Sequence, residues 1–307
     1  MLYFLARRLL ALIPVAIGVV TLVSLMTHLV PGNPVDAILG DYATAEDKAM
    51  LAKALGLDRP FLDQLTGYFA EASKGNLGES IIYHRPVLSM ILERMPATAE
   101  LAVAAMVVAM TLSIPLGVLS AMNQRTIIDY TAMTFAIAGV ALPSFFVGPL
   151  LVLVFSLKLD LLPVSERGDW TTYILPAVTL GTALSAALCR MTRNSILDFA
   201  KEDFARTARA KGCSKLRVVC KHILRNASLP LITIIGLQFG VLLTGTLISE
   251  KIFDWPGVGS LLLEGINTRD YPLVQGCVLV FSASYLLVNL ITDLVVAWLD
   301  PRIKLES

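Results

Sequence analysis

LAVAAMVVAMTLSIPLGVLSAMNQ, residues 101–124, runs for 24 residues without a charged side chain. A helix needs roughly 20 mostly apolar residues to cross the hydrocarbon core of a bilayer. Backbone polar groups cannot be left bare in lipid, so the stretch reads as a transmembrane helix. Working outward, five further stretches have the same character: Leu9–Val35, Tyr130–Leu157, Trp170–Cys189, Asn226–Ser249 and Tyr271–Thr292. Over the 307 residues, 56% are hydrophobic and only 16% charged, whereas soluble domains carry about 25% charged residues. Pro14, Pro115, Pro143 and Pro176 interrupt several stretches, which membrane helices tolerate. Gly148, Gly181, Gly236, Gly240 and Gly245 allow helices to approach closely. The first stretch follows Arg7–Arg8, as in a secretory signal. It is too long for a signal core and no small-x-small site follows, so an uncleaved first helix is expected. The fold class is therefore all-α and polytopic, with six transmembrane helices.

Lys and Arg accumulate in cytoplasmic loops. With the N-terminus inside and sides alternating, the inner segments hold 15 basic and 6 acidic residues, ten of the basic ones between Arg190 and Arg225. Setting aside Asp293 inside the last helix, the outer segments hold 10 basic and 17 acidic residues. The chain total of +1 thus hides a strong asymmetry that places both termini in the cytoplasm. None of the four cysteines falls in an outer segment, so no disulfide framework is implied. Cys213 and Cys220 are too sparse for a zinc site.

The outer segment Pro31–Met95 reads as short amphipathic helices. Thr44 to Asp47 resembles a capping box, and Gly56 ends the helix that follows. Pro60 opens a second helix through Leu62, Leu65, Tyr68 and Phe69 towards Gly75, and Pro86 a third ending near Met95. This segment is either a docking surface for an external partner or a cap over the first helices. Between the last two spans, Phe253, Trp255, Pro256, Gly257 and Gly259 suit a sharp turn. It is either anchored by Trp at headgroup level or a gate at the outer mouth.

The most informative stretch is Arg190–Leu229. A helix over Ser195–Lys211 has acids first and bases last, matching the helix dipole. Gly212 stops it and Ser214 caps a second helix. That helix gathers Leu216, Val219, Cys220, Ile223 and Leu224 on one apolar face. This basic amphipathic hairpin either lies on anionic lipid, or only fixes topology, or projects into a groove on a cytoplasmic partner.

The run Glu202-Asp203-Phe204-Ala205-Arg206-Thr207-Ala208-Arg209-Ala210-Lys211-Gly212, followed by Leu229–Pro230, resembles the coupling loop of ABC importer permeases. Strings along the whole chain sharpen the likeness: Arg7–Arg8, Pro31-Gly32-x-Pro34, Leu55 to Pro60, Trp255-Pro256-Gly257-x-Gly259, Arg269 to Pro272, and Asp300 to Arg302. They are similar to the first permease subunit of the dipeptide, oligopeptide, glutathione and nickel importers. The general motif is Glu-Ala-Ala, three residues, Gly. Here Arg206-Thr207-Ala208 replaces its first three places, as in the peptide branch.

The resemblance implies a type I ABC importer permease fold in the bacterial inner membrane. It implies a division into a first helix (1–30), an extracytoplasmic segment (31–95), a transmembrane domain (96–300) with coupling loop 190–229, and a cytoplasmic tail (301–307). It also implies four partners: a homologous second permease, two cytoplasmic ABC ATPases and an extracytoplasmic solute-binding protein. The substrate class is short peptides or glutathione, with a nickel chelate as the alternative. Asp203 to Gly212 would be the ATPase-coupling element. The chain contains no phosphate loop, so ATP and Mg would be held by the partner ATPases, with no cofactor on this chain and no enzyme activity of its own. Asp293, with Asn289 one turn back as a hydrogen-bond partner, is either structural or part of a pathway. His28 reads as an interfacial histidine. The rival class, an ion-coupled secondary transporter, asks for several ionisable residues inside the helices, and Asp293 is nearly alone.

Overall fold

The computed structural model describes residues 44–54, 60–164 and 167–299, with separate positions between 10 and 35. The expected first span lies mostly outside these, as do His28 and the tail 301–307; where described, residues 10, 13–15, 17–18, 20–22 and 25 are helical. Among the described residues the secondary structure is helices, turns and one isolated antiparallel bridge, Glu79 to Pro86. Among the described residues, four helices are long and apolar enough to cross a membrane, and a bent pair makes a fifth candidate.

The chain divides into two compact units. The first comprises residues up to 98 and 256–284. It holds α1 (Ala45–Ala54), α2 (Phe61–Ala72), the start of α3 (Val87–Met122), α10 (Val258–Asn267) and the first half of α11 (Tyr271–Leu299). Pro60 does precede α2, and Gly75 takes a positive φ of 83° just past its end. Asp270 is fully buried and organises this unit: its carboxylate accepts from Ser80 Oγ at 2.5 Å and Leu273 N at 3.3 Å, and Tyr83 N donates to Ser80 Oγ at 2.9 Å. It thereby caps α11 and pins the 76–86 turn at once.

The second unit, residues 99–255 and 285 onward, holds the rest of α3 and α4 (Ile127–Ala141), α5 (Ser144–Leu151), α6 (Ile174–Phe199), α7 (Asp203–Ala210), α8 (Leu224–Gly245), α9 (Leu247–Ile252) and the end of α11. Three expectations need correction here. The helix expected to end near Met95 does not stop. It continues as α3 for 36 residues, about 54 Å at 1.5 Å per residue, so its charged turns at Glu93 and Glu100 outrun a core of about 30 Å. The stretch Tyr130–Leu157 is not one helix: α4 and the arm Ser144–Lys158 meet at 95°. Pro143 has no N–H to give and forces Leu142 into extended geometry, φ −94° and ψ 116°. Asn226–Ser249 is likewise split, between α8 and α9 at Thr246.

Within this unit the helices touch at glycine. A Cβ on Gly181 of α6 would sit 2.8 Å from the Ala105 carbonyl oxygen and from Val108 of α3. One on Gly117 of α3 would sit 2.6 Å from Thr192 Cβ and 2.8 Å from the Cys189 carbonyl oxygen of α6. Gly236 of α8 meets Thr292 of α11 in the same way. Lipid tails are as apolar as Leu, so such fit, rather than hydrophobic expulsion, holds these helices.

Gly181→Val should therefore destabilise the purified protein by roughly 1–3 kcal/mol, read as a lower thermal midpoint in detergent. Gly67→Ala in α2, where nothing lies within 4 Å, should be neutral or slightly stabilising. Equal losses at both positions would refute the close-contact account. Trp255 is 1% exposed, against 76% for Trp170 and 77% for Trp298. A variant keeping only Trp255 should emit fluorescence that resists both acrylamide and brominated detergent, while one keeping only Trp298 should be quenched by the detergent.

Candidate functional site

The basic stretch 190–229 folds as a hairpin, though not with the expected boundaries. α6 runs through Ser195 to Phe199, and the chain breaks at Ala200–Glu202 before α7 begins at Asp203. The single helix Ser195–Lys211 is thus two helices. Asp203, Phe204, Ala205, Arg206, Thr207, Ala208, Arg209 and Ala210 form α7 itself, with Lys211 as its cap residue. Gly212 stops the helix with φ +78°. The Cys213 amide reaches back to the Ala208 carbonyl at 3.2 Å, closing the turn. Ser214 Oγ accepts from Arg217 N at 3.4 Å, capping the next helical turn as the sequence suggested.

Ala205 and Ala208, three apart on α7, are its two buried residues. They join Ala121, Ile196, Val218, Val219 and Ile223 in one apolar cluster. Alanine lets the helix backbone lie close on that seat. Phe204, Arg206, Thr207, Arg209, Ala210, Lys211 and Gly212 are left exposed on the other side. The Arg206–Asp203 pair at 3.6 Å is fully surface-borne and contributes little. What α7 presents is a short, rigid, mostly basic edge.

The second arm corrects the expected apolar face. Leu216 and Cys220 are exposed, and Val218 is buried in their place. The cause is the π-helix over Val218–Ile223. Its wider turn, with i to i+5 hydrogen bonding, brings Val218 and Ile223 to the same side, where an α-helix would have used 216, 220 and 223.

Above the hairpin sits a carboxylate whose partners span 73 residues of sequence, Ser120 to Arg193. Asp129, in the first turn of α4, accepts from Arg193 Nε and Nη2, both at 2.8 Å. It also accepts from Ser120 Oγ at 2.5 Å and from the Arg125 amide at 2.9 Å. Arg125 holds φ 62° at the turn between α3 and α4. Its amide is kept in that uncommon geometry by the bond to Asp129. The Asp129 side chain is 5% exposed and that of Arg193 20%. Removing one member of such a buried pair costs about 3–5 kcal/mol.

Near residue 250 the structure replaces the headgroup-anchor reading. Phe253 lies against Gly148 of α5, and Trp255 is enclosed, edge-on to Tyr173 with ring centroids 4.8 Å apart. Tyr173 Oη donates to Glu100 Oε2 at 2.8 Å, and Arg167 forks onto the same carboxylate at 2.9 and 2.6 Å. That hydrogen-bonded pairing with Glu100 raises the pKa of Arg167 above its ordinary value. Glu250 is fully buried, with Thr246 Oγ1 at 2.9 Å and the Trp255 amide on its carbonyl at 2.7 Å. In the first unit, the Val258 amide donates to Thr98 Oγ1 at 2.9 Å, with Gly257 and Gly259 buried around it and Pro256 partly so. Asn289 and Asp293 sit one turn apart on α11. Among the described residues, Asn289 Oδ1 is buried without a hydrogen-bond partner. Sequence reasoning missed Asp129, Glu100 and Asp270, whose side-chain partners Arg193, Arg167, Tyr173 and Ser80 lie too far along the chain for any local pattern to show.

Comparison with known proteins fits this geometry. Residues 113–305 match the family described as binding-protein-dependent transport system inner membrane component, and residues 1–102 match its N-terminal companion. The chain is 42% identical over 304 residues to "Glutathione transport system permease protein GsiC" of Escherichia coli O6:H1, covering 99% of both chains. The same protein of Salmonella choleraesuis is 41% identical over the same share of both. Two inward-facing structures of the MetNI methionine ABC transporter share the fold, with TM-scores of 0.56 and 0.57 at 13% and 14% identity, over 69% of this chain and 97% and 96% of theirs. The chain belongs to the binding-protein-dependent transport system inner membrane components: it is a permease subunit of an ABC importer, seated in the inner membrane, and not itself an enzyme.

Proposed function

We propose that this permease carries glutathione or another short peptide inward, forming half of a translocation pathway with a homologous second permease. The observation that carries the substrate class is the 41–42% identity to glutathione permeases over 99% of both chains. Two ABC ATPases on the cytoplasmic side supply ATP and Mg, and a solute-binding protein delivers substrate from outside. The exposed apolar surfaces of the long helices support a pairing partner. Only 11% of the apolar window of α11 and 22% of that of the run Lys215–Thr244 are buried within this chain, so the remainder faces lipid or protein.

The coupling element in this reading is Asp203 to Gly212. A helix seated on two alanines, stopped by a left-handed glycine and exposed elsewhere suits docking into a groove without being drawn into lipid. Closure of the ATPase pair then pushes α7 as a lever. The turn through Phe253, Trp255, Pro256, Gly257 and Gly259 serves as an element of the outer gate, and Asp293 with Asn289 as a polar site beside the pathway. A nickel chelate is the competing substrate, and its import would use the same subunit plan.

Gly212→Val places a β-branched residue at φ +78°, a strain of roughly 1–2 kcal/mol in the turn itself, since no atom lies within 4 Å of the new carbon. The reconstituted complex should keep hydrolysing ATP while uptake collapses; undiminished uptake would sink the lever role. Titrating the cognate binding protein by calorimetry should give heat with glutathione or short peptides and none with a nickel–histidine chelate. The reverse pattern would reassign the substrate.

A further inference from the structure

A gap lies between the basic hairpin and the turn joining α3 to α4. The cavity there measures about 740 Å3 and is lined on one side by Met122, Asn123 and Gln124 and on the other by Leu197, Ala200 and Arg209. The hairpin and the end of α6 therefore do not press on that turn along their whole length. Besides the packing of Val118 and Met122 on the hairpin's apolar cluster, they meet it at particular points. One is the Lys215 ammonium, which donates to the Met122 carbonyl. A second is the apolar cluster that takes in Ala121 from the end of α3 and Ile196 from α6. The third is the ion pair of Asp129 with Arg193, bidentate, with the carboxylate enclosed and the arginine partly exposed.

Arg193 lies one helical turn before Ile196, and Ile196 belongs to the cluster that seats Ala205 and Ala208 of α7. On the other side of the ion pair, Asp129 also holds Ser120 at the end of α3 and the amide of Arg125. A planar guanidinium on a carboxylate resists both sliding and rotation, which a single point contact does not.

We propose that Asp129 and Arg193 are positioning residues for transport. Their ion pair locks the last turns of α6 to the α3–α4 turn, so that a push on α7 moves α4 and the arm beyond its bend instead of being absorbed across the cavity. This rests on the coupling role proposed for α7. With the pin removed, α4 still packs on the middle of α6 through Gly139 at Thr182 and Ala136 beside Ala186 and Cys189, the hairpin still docks and ATP is still hydrolysed, but the displacement is lost in bending α6 beyond that contact.

The test uses the complete importer in proteoliposomes, with transport and ATP hydrolysis measured on the same sample, together with stimulation of hydrolysis by the loaded binding protein. Asp129→Asn and Arg193→Gln should each lower substrate moved per ATP by roughly fivefold or more and blunt the stimulation. Arg193→Lys, which keeps the charge but not the fork, should fall between these and wild type. If either single variant fails to assemble, the double variant Asp129→Asn/Arg193→Gln leaves no uncompensated charge and should assemble yet show the same loss per ATP. Unchanged transport per ATP overturns the inference, as does a fall of both activities only in proportion to the complex recovered, which marks a merely structural pair. A wild-type complex that does not couple uptake to hydrolysis overturns the function proposed above instead, and is recognised before any variant is compared.

Discussion

Close approach of helix backbones is the constraint on which the second unit depends. In water, apolar faces are driven together whether or not they match; in lipid that drive is missing and shape must replace it. α6 illustrates the result. On one turn its Gly181 lies against the Ala105 carbonyl of α3, further along its Cys189 carbonyl faces Gly117 of α3, and its Thr182 carbonyl faces Gly139 of α4 at 3.0 Å from a built Cβ. Three helices are thereby brought near enough for Arg193 of α6 to reach Asp129 of α4 without stretching. The ion pair is possible because the glycines come first. Once made, it resists separation far more strongly than the van der Waals contacts around it, since pulling it apart strands two charges where little water can reach them.

Much of this was legible in the sequence. The apolar runs gave away α6, α8 and α11 because charge is so costly in hydrocarbon that its absence over twenty residues is informative by itself. Gly212 and Ser214 announced the hairpin turn through local backbone chemistry alone. One error turns on proline. A proline in an apolar run can be absorbed or can break the helix, and only the neighbours decide: Pro115 sits inside α3, whereas Pro143 turns the chain through 95°. Glu93 and Arg94 read as the end of a short outer helix stopping near Met95, yet with Glu100 they ride on an unbroken helix that is simply longer than the bilayer is thick.

The functional residues divide in the same way. The exposed edge of α7 was readable because its composition is unlike its surroundings. Asp129 was not: it counts as one acidic residue among the charges of a short loop, and its meaning lies in Arg193, 64 positions away. Trp255 misled for the opposite reason. Tryptophan at the end of a span ordinarily marks an interface; here Tyr173 offers it a ring edge, and the protein closes over both.

The widened turn at Val218–Ile223 carries a lesson about encoding. It accommodates one more residue than an α turn would while leaving the two ends of the second arm facing much as they otherwise would. A turn widened to i to i+5 bonding winds less per residue, so its six residues turn the chain about as far as five in an ordinary α turn; deleting one residue there should let it close to an α turn with Lys215 and Arg217 near their present azimuth. Chain length at this joint is thus forgiving in one direction, and homologues one residue shorter here should present the same cationic surface.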